Sequence, residues 1–275
     1  MRDHKGLKEI ARNIRKDIVS MIHTSKSGHP GGSLSSVEIL TALYFDEMNI
    51  DINNCKMEDR DRFVLSKGHA APVLYATLAH KGYFDREELN GLRKINRMLQ
   101  GHPDMKGTPG VEMSTGSLGQ GFSVACGMAM ASKLDNAPWR VYALLGDGEV
   151  QEGLIWEAAM SAAHYKLDNM VAFLDYNGLQ IDGEVEKVMN IGPIVDKFKS
   201  FGWNVIEIDG HDFDQIFAAL DMAKETVGKP TMIVAKTIKG KGVSFMENNA
   251  GWHGNAPSDN DLEIALSELG GADNE

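Results

Sequence analysis

The sequence predicts an α/β fold with a mostly parallel central sheet of at least five strands and helices on both faces. Short apolar runs recur along the chain, and each is followed by a loop and usually by a stretch with helical periodicity. A strand that is repeatedly followed by a helix is typical of βαβ units, whose strands are parallel. The five runs predicted to be strands are 61–65, 141–145, 170–174, 203–208 and 231–235.

Apolar residues at helical spacing predict the helices between these strands. They are expected at about 5–24, 37–48, 71–81, 85–92, 119–134, 152–165, 192–201, 213–227 and within 255–275. Ser35 or Ser36 is expected to cap the second helix, Asp212 the helix at 213–227, and Ser258 with Asp261 the last helix. The final GGADNE is expected to be loosely held. The chain, 1–275, is expected to form one domain, since a single core suits an α/β chain of this length.

Composition excludes several classes of protein. The formal net charge of −11 provides no broad basic field for nucleic acid. Two cysteines, Cys55 and Cys126, do not make a disulfide framework, which is consistent with a reducing compartment. The N-terminal MRDHKGLKEI is charged where a signal peptide is apolar, and no apolar stretch reaches membrane-spanning length. A cytoplasmic protein with no nucleic-acid or membrane partner is therefore expected.

The segment 144–183 contains the strongest functional signal. Gly146-Asp147-Gly148 follows one predicted strand, and Asp175-Tyr176-Asn177-Gly178 follows the next. Ligands of parallel sheets bind beyond the carboxyl ends of strands, so Asp147 and Asn177 are expected to meet if the two strands are neighbours. Carboxylate and amide oxygens suit magnesium or calcium, whose shell is usually completed by phosphate oxygens and water. The pattern predicts a metal-bridged di- or polyphosphate, with Gly148 leaving its backbone open to the phosphate.

Other interpretations of this segment are weaker. Gly-Asp-Gly and Asn-Gly are both common turns, and either one alone would indicate only a turn. The pair, each after a strand and separated by one helix, indicates a shared site. The segment is not a P-loop, which requires Gly-Lys-Ser/Thr, and Gln151 stands where the dinucleotide fingerprint has its third glycine.

The residues GDGEVQEG followed by DYNGLQIDG resemble the thiamine diphosphate motif of transketolases. That motif usually ends in two asparagines; here Tyr176 replaces the first, and Asn177 is kept. The resemblance implies a thiamine diphosphate-binding fold in which Asp147 and Asn177 bind Mg²⁺ through their side chains and Leu179 through its carbonyl, with Ca²⁺ or Mn²⁺ able to substitute. The cofactor-binding residues that it implies are His69, Gly116, Ser117, Leu118, Asp147, Gly148, Glu149, Asn177, Lys239 and His253.

Four loop histidines are candidates for catalysis. His29 lies in SGHPGG, His69 in SKGHAAP, His102 in a long glycine-rich loop, and His253 in WHG. From pattern alone the first two are equally turn or helix-start histidines, and His253 has no signal of its own. SGHPGG and TGSLGQG also resemble active-site loops of transketolases. The resemblance implies His29 and His253 near the hydroxyls whose protons move, and His69 and His102 at the transferred unit, roles that suit histidine near neutral pH.

Three charged residues have two interpretations each. Lys239, in TIKGKGV, is either a solvated lysine or a diphosphate ligand, and the resemblance favours the second. Glu152 and Glu157 are either ordinary helix-start acids or, as the resemblance implies, catalytic-site acids in a subunit-interface network. No histidine has the spacing or cysteine companions of a zinc site.

The resemblance runs along nearly the whole chain but covers only the diphosphate-binding half of a transketolase. The other half of the family's enzymes binds the aminopyrimidine ring and carries the activating glutamate, and no matching segment occurs here. The chain is therefore expected to be the N-terminal subunit of a split transketolase, active with a C-terminal partner subunit in an α2β2 heterotetramer. The resemblance implies transfer of a two-carbon ketol unit from a ketose phosphate to an aldose phosphate, as in the pentose phosphate pathway.

Two alternatives stay open at this point. The first is a related thiamine diphosphate enzyme for another sugar: a sulfosugar, a branched sugar, or a substrate of a deoxyxylulose-phosphate synthase relative. The second is a non-catalytic, cofactor-binding or regulatory chain that has no partner. The sequence does not specify the natural donor and acceptor sugars.

Overall fold

The computed structural model of the protein describes residues 3–270. Its centre is a sheet of Arg62–Leu65 (β1), Val141–Gly146 (β2), Met170–Tyr176 (β3), Asn204–Asp209 (β6) and Thr231–Lys236 (β7), in the order β1-β2-β3-β7-β6. Each neighbouring pair is parallel. The five predicted strands are therefore confirmed. A small antiparallel ribbon, Leu179–Gln180 (β4) with Gly183–Glu184 (β5), was not predicted.

The α-helices of the described part, in chain order, are His4–Ser25 (α1), Pro30–Leu34 (α2), Val37–Ala42 (α3), Ala71–Lys81 (α4), Gln120–Leu134 (α5), Gly153–His164 (α6), Val185–Met189 (α7), Ile194–Ser200 (α8), Phe213–Glu225 (α9) and Asp259–Gly270 (α10). Short 3₁₀ turns occur at Gly68–Ala70, Arg86–Gly91, Gly148–Gln151 and Ala250–Trp252. The helix predicted at 37–48 is α-helical only to Ala42 and continues as a π turn, Leu43–Glu47. In residues 3–270 no helix is long and apolar enough to cross a bilayer.

Alternation along the strands builds a separate core on each face of the sheet. Tyr142 and Leu144 of β2 pack with α1, α3, α4, α9 and α10 on one face. Ala143 and Leu145 pack with α5, α6 and α8 on the other face. Both faces are covered, which explains why the strand sequences are continuous apolar runs and confirms the prediction of helices on both faces.

Two predicted helix caps are confirmed. Asp212 Oδ1 accepts from the amide of Asp214 at 2.8 Å at the start of α9. Ser258 Oγ accepts from the amide of Asp261 at 3.2 Å, and Asp261 Oδ2 accepts from the amide of Ser258 at 2.9 Å. The second pair is the reciprocal capping box that the sequence predicts before α10.

The predicted cap of the second helix is confirmed in position but not in its hydrogen bond. Ser36 is the N-cap residue of α3, but its hydroxyl, like that of Ser35, donates to the carbonyl of Gly32 and accepts from no amide of the helix. Ser35 also donates to Asp175 Oδ2 at 2.7 Å, and Ser36 accepts from Lys67 Nζ at 2.6 Å. Tertiary contacts to a buried charge pair therefore replace the local cap.

The topology brings the chemistry-bearing loops together. Strands β1, β2, β3 and β7 are parallel neighbours, so the loops that follow them open at one edge of the sheet. The segments 27–36 and 250–254 fold over the same edge. Most of the segment GGADNE lies at 271–275, outside the described residues.

Candidate active site

A cleft of about 310 Å³ opens at the carboxyl edge of the sheet. Residues that follow β1, β2, β3 and β7 form its wall, joined by the loops that carry His29 and His253. The sequence-predicted residues that line it are His29, His69, Gly116, Leu118, Asp147, Gly148, Glu149, Glu152, Asn177, Leu179, Lys239 and His253. The structure therefore brings most of the predicted site residues into one cavity.

Three predicted residues lie outside the wall of this cleft. His102 is exposed, but its ring is adjacent to the cleft, because a Cβ built at Gly116 would lie 3.1 Å from it. Ser117 is exposed beside Gly116. Glu157 is exposed on α6, away from the cavity. None of the three is part of the cleft wall in this chain.

Asp147 joins the ends of β2 and β3. Its buried carboxylate accepts from the amide of Gly148 at 2.8 Å and from the amide of Gly178 at 2.6 Å. The register pairs Gly146 with Asp175, so the loops after the two strands are side by side. Burial, reinforced by the charge of Asp175, raises the pKa of Asp147 to about 6.

Asn177 is held in a defined orientation next to Asp147. Its Nδ2 donates to Asp175 Oδ2 at 3.0 Å, and its Oδ1 accepts from the amide of Leu179 at 3.1 Å. The carbonyl of Leu179 accepts from Lys239 Nζ at 3.3 Å. The loop after β2 thus provides one carboxylate, that of Asp147. The adjacent loop after β3 provides one amide oxygen, that of Asn177, and one main-chain carbonyl, that of Leu179.

Glu149 contributes by holding loops together. Its buried carboxylate accepts from Ser66 Oγ, from the amide of Gly119 at 2.9 Å and from the amide of Gly146 at 3.0 Å. These bonds fix the loop 116–119 against the end of β2. The carboxylate oxygens of Glu149 are therefore engaged within the protein.

Three histidine rings form a cluster over the cleft. The ring centroids of His29, His69 and His253 are 5.2 to 5.5 Å apart. Burial, together with the charge of Arg93, lowers the pKa of His29 to about 4. Burial and Lys239 lower the pKa of His253 to about 3, and burial also lowers the pKa of His69. All three rings are neutral near pH 7 and can accept or donate a proton.

Lys239 provides a cation in the wall. Its side chain is buried, and Nζ lies 3.2 Å from His253 Nδ1. Burial lowers its pKa to about 8. The ammonium group therefore faces the same space as Asp147 and the histidine cluster, and within residues 3–270 no carboxylate bonds to it.

The residues fit a magnesium-bound phosphate group. Carboxylate, amide and carbonyl oxygens are the donors that magnesium prefers, and water or phosphate completes the shell. In the described residues no group of three His, Cys, Asp or Glu is arranged as a metal site. Two buried atoms in the cleft wall, His29 Nδ1 and Gln180 Nε2, have no partner among these residues. A buried polar atom without a partner costs about 1–3 kcal/mol, so both favour a polar ligand.

The sequence analysis missed an ion pair in the cleft wall. Lys67 Nζ lies 2.5 Å from Asp175 Oδ2, and both side chains are almost fully buried. Lys67 follows β1, and Asp175 lies at the end of β3. A charged residue at the end of an apolar strand is the signal that identified Asp147, and the same signal was available for this pair.

Comparison with known proteins identifies the family. The family model described as the transketolase thiamine diphosphate-binding domain matches residues 7–275. The chain belongs to this family. This confirms the resemblance on which the predictions of fold and site were based.

Its relatives within the transketolase family include proteins of similar length. The chain is 49% identical over 263 residues to the 6-deoxy-6-sulfo-D-fructose transketolase subunit SqwG of Clostridium sp. (strain MSTE9), covering 96% of each chain. It is 45% identical over 255 residues to a subunit of the apulose-4-phosphate transketolase of Phocaeicola vulgatus, covering 93% of this chain and 90% of the relative. The relatives that match end to end are thus named as subunits.

Longer transketolases contain the same domain. Human transketolase is 41% identical over 266 residues, which are 96% of this chain but 42% of the human protein. The solved transketolase of Campylobacter jejuni superposes with a TM-score of 0.92 at 34% identity, covering 100% of this chain and 44% of that one. The sheet described above is therefore the sheet of a transketolase domain, and the α/β fold class is confirmed.

Proposed function

We propose that this chain is the thiamine diphosphate- and magnesium-binding subunit of a split transketolase, which transfers a two-carbon ketol unit from a ketose phosphate to an aldose phosphate. One observation carries the proposal: an oxygen donor set, a buried ammonium group and three neutral histidines line the same cleft. The membership of the family supports it.

Three oxygen donors would hold the metal. They are the side chains of Asp147 and Asn177 and the carbonyl of Leu179. The ammonium group of Lys239 would bind the diphosphate, since a buried cation favours a phosphate. The amide of Gly148, which here donates to Asp147 Oδ1, would donate to the diphosphate once Asp147 binds the metal. Thiamine diphosphate, when bound, supplies the electron sink that lets a carbon–carbon bond beside a carbonyl break and form. The predicted contacts of His69, Gly116, Ser117, Leu118 and His253 belong to this same site.

The histidines would move protons at the substrate hydroxyls. His29 has an unpartnered Nδ1 in the cleft, and its neutral ring can accept a hydroxyl proton near pH 7. His253, which also contacts Lys239 Nζ, would act both on the substrate and at the diphosphate. His69 and His102 would contact the transferred unit, with His102 reaching it from the rim. Glu152 and Glu157 would face the partner from α6, where Met160 is also exposed.

The second subunit would complete the site. Two relatives that match this chain end to end are named as subunits of transketolases, which favours a partner chain of complementary function. We infer that the partner supplies the pyrimidine-binding half and that two copies of each chain form an α2β2 heterotetramer. Glu152 and Ile181 line one wall of the cleft, and the Ile181 side chain is 69% exposed. The partner would cover this wall.

The donor sugar has three candidates. A ketose phosphate is the general donor of the family. A sulfosugar is the second candidate, because the relative that is 49% identical is named for 6-deoxy-6-sulfo-D-fructose. A branched sugar is the third candidate, and the relative that is 45% identical is named for apulose 4-phosphate.

The test is turnover by purified chains. This chain, with thiamine diphosphate and Mg²⁺, is assayed alone and with the C-terminal transketolase subunit from the same source, on xylulose 5-phosphate, fructose 6-phosphate, 6-deoxy-6-sulfofructose and apulose 4-phosphate. We expect no turnover from the single chain, turnover from the pair with one group of donors, and loss of turnover after removal of Mg²⁺ with EDTA. Full activity of the single chain would contradict the split-enzyme proposal. Inactivity of the pair on every ketose would favour a non-catalytic cofactor-binding role.

A further inference from the structure

The loop 237–242, TIKGKG, carries Lys239 from the end of β7 into the cleft. Gly240 and Gly242 have positive φ angles of 80° and 91°, conformations that glycine adopts readily. A loop of this composition needs outside contacts to hold one path. Two such contacts come from the side away from the cleft: the amide of Ile238 donates to His211 Nε2 at 2.9 Å, and Arg15 Nε donates to the carbonyl of Lys241 at 3.0 Å.

Glu38 connects these two contacts. Its Oε2 lies 2.9 Å from His211 Nδ1 and accepts from Arg15 Nη2 at 2.7 Å. The three side chains are 8 to 12% exposed, so they are packed rather than solvated. Burial alone would raise the pKa of Glu38, but Arg15 and His211 hold it at about 2. The carboxylate is therefore charged throughout the neutral pH range.

The hydrogen bonds assign the protonation state of His211. The amide of Ile238 can only donate, so Nε2 of the ring must accept and carries no proton. The ring proton is then on Nδ1, where it is donated to Glu38. His211 thus links a fixed carboxylate to the main chain of the loop.

The opposite side of the loop leaves little room for Lys239 to move. The amide of Gly240 donates to the carbonyl of Gly31 at 3.0 Å, and a Cβ built at Gly31 would lie 3.0 Å from Lys239 Cγ. The amide of Asn248 donates to the carbonyl of Lys239 at 2.9 Å. The loop is held between these contacts and the Arg15–Glu38–His211 cluster, and Ile238, which donates to His211, directly precedes Lys239 in the chain.

We propose that His211, held by Glu38 and Arg15, is a positioning residue that fixes the main chain at Ile238 and thereby places the ammonium group of Lys239 at the diphosphate site. The inference rests on the proposed function, in which Lys239 binds the diphosphate. None of the three cluster residues lines the catalytic cleft, so their effect on a ligand passes through the loop. They line a separate surface cleft beside α1 and α9.

The experiment compares three variants of the purified chain. His211→Phe keeps an aromatic ring but removes the acceptor for Ile238, whereas His211→Gln keeps an oxygen that can accept from it. His80→Phe is the matched control: His80 is 14% exposed against 12% for His211, and it also bonds a carboxylate, Asp17 Oδ2, at 2.8 Å, but it does not contact the loop. The readouts are hydrogen exchange at the Ile238 amide and calorimetric affinity for thiamine diphosphate with Mg²⁺.

We expect His211→Phe to increase the hydrogen-exchange rate of the Ile238 amide about tenfold, the effect of one lost hydrogen bond. The affinity for the cofactor should fall by about the same factor. His211→Gln should largely restore the slow exchange and the cofactor affinity. His80→Phe should change neither the exchange rate at Ile238 nor the cofactor affinity, even if its melting temperature falls. Unchanged exchange at Ile238 in His211→Phe would overturn the proposal, and so would equal losses of affinity in His211→Phe and His80→Phe. If His211→Phe does not fold, Glu38→Gln takes its place with the same expectation of faster exchange.

The role of Lys239 itself is tested separately. If Lys239→Met binds the magnesium-bound cofactor as tightly as the unaltered chain, the proposed function of Lys239 is wrong. The exchange rate at Ile238 in His211→Phe still decides whether His211 holds the loop. Failure of the proposed function and failure of the positioning role thus give different results.

Discussion

Two buried aspartates at the ends of neighbouring strands have opposite surroundings. Asp175, at the end of β3, accepts from the ammonium group of Lys67 and from the side chains of Ser35, Asn177 and Thr237. Asp147, just after β2, accepts from two main-chain amides, those of Gly148 and Gly178. The first carboxylate has its counter-charge within the protein. The second is equally buried, and no cation of the described chain bonds to it.

We infer that the Asp175 carboxylate stabilises the fold, whereas the Asp147 carboxylate binds a ligand. A buried ion is tolerated when a partner of opposite charge and hydrogen bonds compensate its lost hydration, as at Asp175. A buried carboxylate that has no bonded cation and lies in a cleft beside other oxygen donors, as Asp147 does beside Asn177 and Leu179, is a candidate to bind a cation from outside. The same contrast separates Lys67, which is paired with Asp175, from Lys239, whose nearest polar partners are a carbonyl and a histidine.

The largest effect is expected from breaking the internal pair. Lys67→Met leaves Asp175 buried without its counter-charge and should lower the free energy of unfolding by about 3–5 kcal/mol. Lys239→Met removes an equally buried ammonium group that is not paired with a carboxylate in the described chain, and should cost less than about 1 kcal/mol. Urea unfolding of the cofactor-free chains, followed by circular dichroism, measures both.

A double variant provides the control for this prediction. Lys67→Met combined with Asp175→Asn removes both charges while keeping an oxygen acceptor for Ser35, and it should recover part of the lost stability. Equal losses for Lys67→Met and Lys239→Met would show that the distinction between the two cations is wrong.

The next effect concerns the carboxylate that lacks a counter-charge. At a concentration one hundred times its dissociation constant, magnesium-bound thiamine diphosphate should stabilise the unaltered chain by about 2.7 kcal/mol. Asp147→Ala should abolish this gain, because the amide oxygen of Asn177 alone cannot bridge the metal to the diphosphate. Asn177→Asp keeps an oxygen ligand and should retain part of it. Thermal unfolding with and without the cofactor measures the gain, and an undiminished gain in Asp147→Ala would refute the metal site.

Glu38 is, like Asp175, a buried carboxylate whose counter-charge lies within the protein. Its contribution to stability can be tested at acid pH. Its pKa is about 2 in the folded chain, against an ordinary value of 4.5. A carboxylate with a depressed pKa stabilises the fold above its unfolded pKa, and this contribution is lost as the pH falls toward the folded value. The stability difference between the unaltered chain and Glu38→Gln should narrow by about 2 kcal/mol between pH 5 and pH 3. A difference that stays constant over this range would contradict the ion pair with Arg15.

The sheet could be predicted from the sequence because it is covered on both faces. Each strand is then a continuous apolar run, and the residues just beyond its carboxyl end are candidates for the site without any knowledge of strand order. This logic located Asp147, Asn177 and Lys239 in one cleft. Parallel strands place all three at one edge of the sheet, and the adjacency of β2, β3 and β7 brings them into one cleft.

Features that depend on which strands are neighbours, or on the path of loops, could not be predicted. The positions of Lys67 and Asp175 at strand ends could be read from the sequence, but their pairing with each other, 108 positions apart, depends on the order of the strands. The cap assigned to Ser35 or Ser36 followed local propensity, which the buried charge pair overrides. The position of His102 beside the cleft, rather than in its wall, follows from the course of a long glycine-rich loop, in which periodicity carries no information.

The expected loss of stability is smaller for Ser35→Ala than for Lys67→Met, and this variant tests most selectively whether Asp175 and Asp147 differ in role. Ser35→Ala removes one of four side-chain donors to Asp175 and should cost about 1.5 kcal/mol of unfolding free energy, the lower end for a hydrogen bond to a charged group, because the other donors remain. It should leave the calorimetric affinity for magnesium-bound thiamine diphosphate unchanged. Asp147→Ala should instead lose the affinity, whatever its stability, since it removes a ligand of the metal. If Ser35→Ala instead weakened the affinity without lowering the stability, Asp175 would belong to the ligand site, and the two aspartates would not differ in role.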